Sequence, residues 1–416
     1  MAKIVAKIVA KDMDKTEDIA LMEPMKVSSG SSDYMALVDL AIELASKSEG
    51  FKRSMPAETV RALSDLVRSM NCYYSNLIEG HDTHPVDIER ALHNDYSENT
   101  GKRDLQLEAK AHIEVQQWID QGGLAGRAVS MDGLLEMHRR FCERLPQELL
   151  WVENSRTGER LAVIPGELRA QDVEVGRHVA ISPGAVPRFL EHFEKSYSGL
   201  GKTETLISLA AAHHRLLWIH PFMDGNGRVA RLMSHAVLLD VLDTGGVWSI
   251  ARGLARSSQE YKARLQDCDS ARRGDLDGRG NLSEAALAHF TRYFLTTCID
   301  QVDFMESLVR PDKIRSRILG WCRSQVEGGN LPKQSPALLE AVLYRGQIAR
   351  GEIANLLQVA RRTATRVVAD LLESGILASD STRSPLRIAF PAKLAPDILP
   401  GLFPEVRVQS AQTIDH

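Results

Sequence analysis

Two apolar helical runs meet at a proline and a pair of glycines, and this junction restricts the backbone more than any other part of the sequence. The first run, residues 206–218, ends just before His220, and Pro221 stops a regular helix there. The Gly-Asn-Gly of residues 225–227 then permits positive φ angles and close approach to the backbone. Because the next helix begins directly after it, the sequence predicts a tight turn whose N–H groups bind an anion.

The polar residues around this turn suit phosphate chemistry. Arg228 and Arg231 lie one helical turn apart on one face, where both are able to grip phosphate oxygens. Asp224 precedes the turn and is placed to hold Mg²⁺ between phosphates. His220 is the nearby group that can accept a proton near neutral pH. Together these residues predict a phosphate-transfer site.

Residues 220–231 read His-Pro-Phe-Met-Asp-Gly-Asn-Gly-Arg-Val-Ala-Arg, and this stretch resembles the motif of the Fic family, HPF-x-(D/E)-GNGR-x-x-R, at every specified position. The resemblance extends over roughly residues 35–310, although only the motifs are specific. It implies a mainly α fold, with a helical Fic core and a β-hairpin flap. Glycine at position 227 favours AMP transfer, because the related Doc-type kinases tend to have lysine there and transfer the γ-phosphate.

The resemblance implies a protein adenylyltransferase, which moves AMP from ATP to a Ser, Thr or Tyr hydroxyl of a target protein or of this chain itself. ATP would be the substrate and Mg²⁺ the cofactor. By this resemblance His220 would deprotonate the hydroxyl, and Asp224 would hold the metal. The nucleotide-binding residues would be Gly225, Asn226, Gly227, Arg228 and Arg231.

Residues 75–80 resemble the inhibitory motif of the same family, (S/T)-x-x-x-E-(G/N), at Ser75, Glu79 and Gly80. A glutamate beside Arg231 would pair with the guanidinium that otherwise holds the γ-phosphate, so ATP would enter in a pose unsuited to in-line attack. The alternative is a solvent-facing pair of Ser75 and Glu79, with Gly80 as the helix cap. In some family members this glutamate also supports removal of AMP from the target.

Residues 173–180 alternate on either side of a glycine, which predicts a short β-hairpin. In the Fic family a flap at this position pairs with an extended segment of the target protein, and a plain surface hairpin is the alternative. Tyr261 either stacks on adenine or belongs to the core. We assign no role to residues 272–283, which are rich in glycine and charge.

Residues 336–392 predict a small winged helix-turn-helix domain, with helices at 336–344, 350–357 and 361–374 and wing strands at 376–378 and 386–390. Residues 313–393 contain 13 Lys/Arg and 6 Asp/Glu, whereas the rest of the chain contains 38 and 49. This basic module favours contact with DNA phosphates, and dimerisation or packing against the catalytic core is the alternative. The third helix would bury an apolar stripe and present the candidate DNA-binding residues Arg361, Arg362, Thr365 and Arg366.

These patterns divide the chain into five segments. We predict a flexible tail over residues 1–33, N-terminal helices with the inhibitory helix over 34–125, the Fic catalytic core over 126–310, the winged helix-turn-helix domain over 313–395 and a C-terminal tail over 396–416. The five cysteines lack metal-ligand spacing, and the sequence contains neither a signal peptide nor a long apolar stretch. These features predict a cytoplasmic protein without a membrane partner.

Two other functional classes fit the same residues. One is a DNA-binding transcriptional regulator whose Fic domain senses nucleotide. The other is a Fic enzyme that uses another nucleotide donor or removes AMP from a modified target. The sequence names neither the target protein nor the signal that relieves inhibition by Glu79, and both a monomer and a homodimer are compatible with it.

Overall fold

The computed structural model describes residues 17–154 and 157–404. Within them the backbone forms two units. The larger unit contains residues 17–55 and 67–305, and the smaller contains residues 56–66 and 306–404. The chain is mainly helical, which confirms the predicted fold class.

Helices make up most of the larger unit. The residues of α2 before 67 and of α11 after 305 belong to the smaller unit. In chain order the helices are α1 (Tyr34–Arg53), α2 (Ala57–Ile78), α3 (Pro85–Leu92), α4 (Thr100–Asp120), α5 (Met131–Cys142), α6 (Val186–Tyr197), α7 (Lys202–Ile219), α8 (Asn226–Leu242), α9 (Ile250–Arg256), α10 (Ser258–Asp267) and α11 (Glu284–Val309).

Helices α7 and α8 form the centre of the larger unit. α7 packs against α1, α6 and α8, and its residues from Leu206 to Ile219 are buried except for Leu217. α8 is buried over its first thirteen residues, 226–238, apart from Gly227. A helix that is apolar on all sides is one that other elements enclose. The turn at residues 220–225 is therefore fixed at both ends by buried helices.

Two short antiparallel strand pairs lie in the larger unit. β1 (Trp151–Glu153) pairs with β2 (Arg160–Ala162), and β3 (Glu174–Val175) pairs with β4 (His178–Val179). The second pair is the hairpin predicted over residues 173–180, and Gly176 has φ of 63° in its turn. The sequence analysis missed the first pair, because strands of three residues carry too little alternation to be recognised.

The prediction of a flexible tail over residues 1–33 is wrong for residues 17–33, which pack against the larger unit. A 3₁₀ helix spans Ile19–Met22, and the side chains of Met22 and Met25 are 0% and 4% exposed. The Tyr197 hydroxyl donates a hydrogen bond to the carbonyl of Met25. Isolated apolar residues among charges give no periodicity, so the sequence pattern did not reveal this packing. Residues 1–16 of the predicted tail lie outside the described residues.

The predicted boundary between residues 125 and 126 is also wrong. Helices on both sides of it belong to one unit, since α4 packs against α5 and α8. An apolar stripe shows that a helix face is buried but not which element covers it. The N-terminal helices therefore complete the core around α7 and α8 instead of forming a segment of their own.

The smaller unit combines short helices with one sheet. The sheet has the antiparallel order β5–β7–β6, and α15 buries the predicted apolar stripe. Its elements are α12 (Pro311–Glu327), α13 (Ser335–Arg345), β5 (Gln347–Ile348), α14 (Ile353–Leu356), α15 (Arg361–Glu373), β6 (Leu377–Ala378), β7 (Leu386–Ile388) and α16 (Ala395–Ile398). The helices and the two wing strands lie close to their predicted positions, and β5 was not predicted. The winged helix-turn-helix assignment itself stays a prediction.

The limits of this unit differ from the predicted 313–395. The unit includes residues 56–66 and begins its second segment at residue 306. The predicted C-terminal tail is wrong for residues 396–404, because Ile398, Leu399 and Leu402 are 0–1% exposed. Arg317 also donates to the carbonyl of Ile398 at 2.9 Å. The remaining tail residues, 405–416, lie outside the described part of the chain.

All five cysteines are buried free thiols. Of the helices in the described ranges, none has both the length and the apolar character that crossing a bilayer requires.

Replacing Met22 by alanine should lower the free energy of unfolding by about 2–5 kcal/mol, because the side chain is fully buried and its loss leaves a cavity. Met35 is 66% exposed on α1, so Met35→Ala is the matched control and should change stability by less than about 0.5 kcal/mol. Chemical denaturation measures both values. If both substitutions change the free energy of unfolding by the same small amount, residues 17–25 do not pack against the larger unit in solution.

Candidate active site

The turn between α7 and α8 holds His220 in an unusual backbone conformation. His220 follows the last residue of α7 with φ of 51° and ψ of 61°, the left-handed region that residues other than glycine seldom adopt. Its N–H donates to the carbonyl of Leu216 at 3.1 Å, which ends the helix. The side chain is half-buried and lines a cavity next to the turn.

Asn226 closes the turn with its side chain. Its Oδ1 accepts from the N–H of Phe222 at 2.9 Å, and its Nδ2 donates to the carbonyl of the same residue at 2.8 Å. The residue is 3% exposed. The side chain is therefore engaged within the protein, and the main-chain N–H is the group left for the predicted contact of Asn226 with a phosphate.

Phe222 and His138 anchor the turn to α5. Their rings stack at 3.9 Å between centroids with an interplanar angle of 6°. Nδ1 of His138 accepts from the N–H of Gly166 at 3.0 Å, and burial lowers the pKa of His138 to about 4. The imidazole is thus neutral at physiological pH. Sequence reasoning missed His138, because a lone histidine on an amphipathic helix carries no signal of its own.

Arg169 fixes the main chain around His220 from the other side. Its Nε donates to the carbonyl of His220 at 2.7 Å, and its N–H donates to the carbonyl of Pro221 at 2.9 Å. The guanidinium also donates to the carbonyls of Gln171 and Ile181. The residue is 2% exposed, and burial lowers its pKa to about 10, which leaves it charged at neutral pH. The sequence gave no reason to single out Arg169, which lies in an irregular segment.

The N-terminus of α8 opens onto the cavity. Gly225 precedes the helix with φ of 80°, where a side chain would be strained, so the predicted need for glycine is met at this position. Gly225, Asn226 and Gly227 all line the cavity. The first N–H groups of a helix have no acceptor within it, and together with the helix dipole they favour an anion.

The cavity has a volume of about 720 Å³, within the range of small-molecule sites. The structure brings His220, Asp224 and the α8 N-terminus together in its wall with Arg228 and Arg231. The remaining walls come from the end of α2, the β3–β4 hairpin, the end of α7 and α10. The predicted catalytic, metal, nucleotide and inhibitory residues thus meet in one place, with the exception of buried Ser75.

Asp224 carries an ionised carboxylate at this wall. Oδ1 accepts from the N–H of Gly225 at 2.6 Å, and Oδ2 accepts from Arg228 Nη2 at 3.3 Å. Burial would raise the pKa of Asp224, but the charge of Arg228 and the Gly225 N–H outweigh it and lower the pKa. Its side chain is 38% exposed to the cavity.

The donor set at this wall fits Mg²⁺ only if the substrate supplies most of the ligands. No cluster of three or more His, Cys, Asp or Glu side chains suited to a metal occurs within the described ranges. Mg²⁺ commonly binds proteins through one or two carboxylates and completes its shell with phosphates and water. Asp224 meets that requirement.

Arg228 is buried among acidic and aromatic groups. Nη1 lies 3.5 Å from Oε2 of Glu108, and the guanidinium carbon lies 4.6 Å from the ring centroid of Phe141. Burial alone would lower its pKa, yet Asp224, Glu108 and Glu79 raise it well above the usual value. Its Nε and Nη1 find no hydrogen-bond acceptor in the part of the chain that the structure describes. Arg228 thus has two buried N–H donors without a hydrogen bond to the described residues, and one of them lies within ion-pair distance of Glu108.

Arg231 is held by α2. Its Nε donates to Ser75 Oγ at 2.8 Å, and its Nη2 donates to the Ser75 carbonyl at 3.3 Å. Nη2 also donates to Oε1 of Glu79 at 2.5 Å. Burial would raise the pKa of Glu79, but the charges of Arg231 and Arg228 lower it, so the carboxylate is ionised. The alternative of a solvent-facing pair does not fit, because Ser75 is 0% exposed and the Glu79 side chain 14%.

Glycines let Glu79 reach this position. Gly80 ends the α2 region with φ of 83° and turns the chain directly after the glutamate. At Gly227 an added Cβ would lie 2.4 Å from Glu79 Oε1 and 3.1 Å from Arg231 Nη1. The carboxylate therefore occupies the space that any side chain at position 227 would need.

The imidazole of His220 is neutral at physiological pH. Burial lowers its pKa to about 4, and the positive charge of Arg169 contributes to the shift. A neutral imidazole has one ring nitrogen free to accept a proton. His220 is thus in the protonation state that a general base needs before it acts.

The β3–β4 hairpin is attached next to His220. Nε2 of His178 donates to the carbonyl of Trp218 at 2.7 Å, and the two rings lie 5.2 Å apart. Val175 and Val179 are 39% and 42% exposed. The hairpin therefore offers an exposed apolar edge within one turn of the catalytic candidate.

The candidate DNA-binding residues lie in the smaller unit. The four candidate side chains, on one face of α15, are exposed. The opposite face of the helix is buried and consists of Ala364, Val367, Val368 and Leu371. Arg366 makes an ion pair of 3.7 Å with Asp370 on the same helix. The exposed set is Arg361, Arg362, Thr365 and Arg366.

Residues 128–238 match the Fic/DOC family, and the match contains all of α7, the whole turn and α8 as far as residue 238. By this match the segment is similar to a Fic domain, and it is called the Fic domain below. Over 116 residues the chain is 33% identical to the protein adenylyltransferase fic-1 of Caenorhabditis elegans and 32% identical to the protein adenylyltransferase Fic of Aedes aegypti. These matches cover 27% of this chain and 19–20% of the relatives, so the Fic domain spans about a fifth of the length of the curated relatives.

The fold around the Fic domain resembles a solved structure. Fic-1 from C. elegans superposes with a TM-score of 0.50 at 16% identity, over 67% of this chain and 74% of that chain. At this identity the likeness concerns the fold, which is the predicted helical Fic core.

Gly227→Ala should destabilise the larger unit by about 1–3 kcal/mol, because the new Cβ displaces Glu79 from Arg231. In a Glu79→Ala background the same substitution should cost at least about 0.5 kcal/mol less, since the clashing carboxylate is gone. A double-mutant cycle by thermal or chemical unfolding measures this coupling. Gly50→Ala is the control, because its Cβ would meet open space on α1. Additive effects of the two site substitutions would contradict the contact.

Proposed function

We propose that this chain is a cytoplasmic, Mg²⁺-dependent protein adenylyltransferase that is inhibited by its own Glu79. It would transfer AMP from ATP to a Ser, Thr or Tyr hydroxyl of a target protein. One observation carries the proposal: a neutral histidine, a helix N-terminus and two buried arginines line a single cavity. The adenylyltransferase names of the relatives that match the Fic domain support the same activity.

His220 would act as the general base. In the proposed step its ring nitrogen takes the proton of the target hydroxyl while that oxygen attacks the α-phosphorus. The bond between the α-phosphorus and the bridging oxygen to the β-phosphate breaks, and pyrophosphate leaves. Negative phosphates next to the imidazole would raise its lowered pKa, which strengthens the base once ATP is bound.

The α8 N-terminus and the arginines would hold the phosphates. The N–H groups of Asn226 and Gly227 would bind the α- and β-phosphate oxygens, where preorganised donors stabilise the charge that grows during transfer, whereas the N–H of Gly225 donates to Asp224. Arg228 lines the cavity, and its guanidinium would bind a phosphate oxygen there. Asp224 would hold Mg²⁺, whose charge neutralises the phosphates when it is bound.

Glu79 would inhibit the enzyme by occupying Arg231. Its carboxylate makes the charge-assisted contact that the γ-phosphate would otherwise make with the guanidinium. The contact is strengthened by burial on both sides, because the side chains of Arg231 and Glu79 are 2% and 14% exposed. A ligand or partner that withdraws Glu79 would then activate the enzyme.

The β3–β4 hairpin would receive the target. Its exposed valines and its attachment beside His220 suit the addition of an extended segment that carries the hydroxyl. Main-chain pairing of this kind aligns a residue with the base while it demands little of the sequence.

The first experiment incubates four forms with Mg²⁺ and ATP labelled on the α-phosphate, and follows label on the chain itself and on proteins of a cell lysate. The forms are wild type, Glu79→Gly, Glu79→Gly with His220→Ala, and Glu79→Gly with His289→Ala as the exposed-histidine control. We expect labelling by Glu79→Gly to exceed wild type at least tenfold, to vanish with His220→Ala and to persist with His289→Ala. The expected gain is that of restoring one charge-assisted contact, about 1.5–3 kcal/mol.

Other outcomes point to the other candidates. If no form is labelled by ATP but another labelled nucleotide does label the protein or the lysate, the enzyme uses a different nucleotide donor. Loss of label from a previously modified target that requires Glu79 would establish AMP removal. No transfer from any nucleotide would contradict the proposed enzyme and leave nucleotide sensing as the function of the cavity.

We propose DNA binding as a second function of residues 336–392. The observation that favours it is the division of α15 into a buried apolar face and an exposed face with three arginines. Such a helix suits contact with phosphates and bases in the major groove. The excess of seven positive charges over residues 313–393 would support this contact.

Removing these charges should weaken binding to mixed-sequence duplex DNA at least tenfold and make it less sensitive to salt. The test compares Arg361→Ala/Arg362→Ala/Arg366→Ala with Arg310→Ala/Lys313→Ala/Arg323→Ala, which removes the same charge from exposed positions outside α15. Fluorescence anisotropy at several salt concentrations gives both quantities. Equal losses in the two triple variants would indicate non-specific charge attraction. No binding by wild type would favour dimerisation.

A further inference from the structure

The β3–β4 hairpin continues beyond its two strands into a buried base. The N–H of Ala180 donates to the carbonyl of Val173 at 3.1 Å, which extends the main-chain pairing by one step. Val173 and Ala180 are 0% exposed, whereas Val175 and Val179 are exposed. We call residues 171–173 and 180–181 the hairpin base. The hairpin thus has an exposed end and a buried end that connects it to the rest of the larger unit.

The guanidinium of Arg169 bonds both sides of the hairpin base. Nη1 donates to the carbonyl of Gln171 at 2.9 Å, and Nη2 donates to the carbonyl of Ile181. Gln171 precedes β3 and Ile181 follows β4, so one side chain ties together the two ends of the hairpin.

The same guanidinium bonds the end of α7 and the turn that carries His220. Nε donates to the carbonyl of His220 at 2.7 Å, and Nη2 donates to the carbonyl of Ile219 at 3.4 Å. Arg169 is 2% exposed, so water does not compete for these bonds. A planar guanidinium offers its donors in a fixed arrangement, and it therefore sets the position of the hairpin base relative to His220.

Two further contacts join the hairpin to the same segment. Met223, within the turn, packs against Val173 and Ala180 of the hairpin base. On β4, Nε2 of His178 donates to the carbonyl of Trp218 at 2.7 Å. The hairpin is therefore attached both at its base and along its second strand, and Arg169 is the side chain that bonds both of its ends.

We propose that Arg169 is a positioning residue: it holds the hairpin in register with His220, so that a target segment paired with the hairpin brings its hydroxyl to the imidazole. The inference rests on the proposed function, which gives the hairpin to the target and the role of base to His220. A displacement of about 1 Å between reacting groups can lower a rate about a hundredfold. Loss of the attachment should therefore slow transfer to the target, while the phosphates stay bound at the start of α8.

The experiment compares transfer with nucleotide binding in Arg169→Lys, with Glu79→Gly as the parent. Lysine keeps the charge but has one nitrogen in place of three, so it cannot bond the hairpin and the turn together. With ATP labelled on the α-phosphate, we expect the rate of labelling of lysate proteins to fall at least tenfold. The affinity for ATP with Mg²⁺, measured by calorimetry, should stay within twofold. Arg252→Lys is the control, because Arg252 is another buried arginine of the larger unit and donates to Gln301 at 3.1 Å. It should leave both quantities within twofold.

Hydrogen–deuterium exchange followed by mass spectrometry tests the attachment without any measure of activity. Amides in peptides that cover residues 170–182 should exchange at least tenfold faster in Arg169→Lys than in the parent. Peptides from α8 should exchange at the same rate within twofold. A merely structural role would speed exchange in both regions, because the larger unit as a whole would open more often.

The positioning role would be overturned by an unchanged labelling rate, by an ATP affinity that falls together with that rate, or by equal gains in exchange in the hairpin and α8. In each of these cases the proposed function stands. If Arg169→Lys does not fold, the same measurements on Val173→Ala decide, because this change loosens the hairpin base at its contact with Met223. There we expect labelling to fall two- to fivefold at unchanged ATP affinity. If the Glu79→Gly parent labels no protein, the proposed function fails and this inference fails with it.

Discussion

Asn226 hydrogen bonds both main-chain groups of Phe222, and these two bonds decide where the backbone of residues 222–226 can lie. The turn they close sets the start of α8, and with it the direction of the helix dipole and of the first N–H groups. Phe222 then packs on His138, while Arg169 holds the carbonyl that follows α7. The candidate base His220 and the candidate anion site thus share one short segment whose ends are buried helices, so their separation does not depend on flexible loops.

Both buried arginines of the cavity have acidic partners within the protein. Arg228 and Arg231 are met by the carboxylates of Glu79, Glu108 and Asp224, all within ion-pair distance of one arginine or the other. Arg177 and Lys262 also line the cavity, and a bound triphosphate would add negative charge beside the carboxylates that already pair with Arg228 and Arg231. Glu79 directly follows α2, and a phosphate in its place would keep a negative partner beside the guanidinium of Arg231.

Sequence reasoning reached those parts of the molecule that local patterns encode. The turn, the two helices around it, the hairpin, and the three helices and two wing strands predicted for the smaller unit all depend on neighbours within a few positions. The structure has elements close to these positions, whereas α12, β5 and α16 were not predicted. Arg169, His138 and Glu108 act through contacts with residues far away in the chain, and no spacing rule identifies them.

The wrong predictions have the same cause. Residues 17–33 and 396–404 lack periodicity, yet each segment contributes buried side chains, Met22 and Met25 in the first and Ile398 and Leu399 in the second. The predicted boundary between residues 125 and 126 separates helices that pack together, since α4 contacts α5 and α8. The order of elements along the chain also gave no indication that residues 56–66 belong to the smaller unit.

The left-handed backbone conformation of His220 lowers the stability of the fold at the residue that is proposed to act as the base. Glycine would adopt φ of 51° without strain, whereas a histidine loses about 1 kcal/mol there. A lineage or a laboratory selection that rewards heat resistance alone would therefore drift towards glycine at residue 220 and lose the imidazole. A residue other than glycine in this strained conformation lowers stability, a cost that is common at functional sites and consistent with the proposed role of His220.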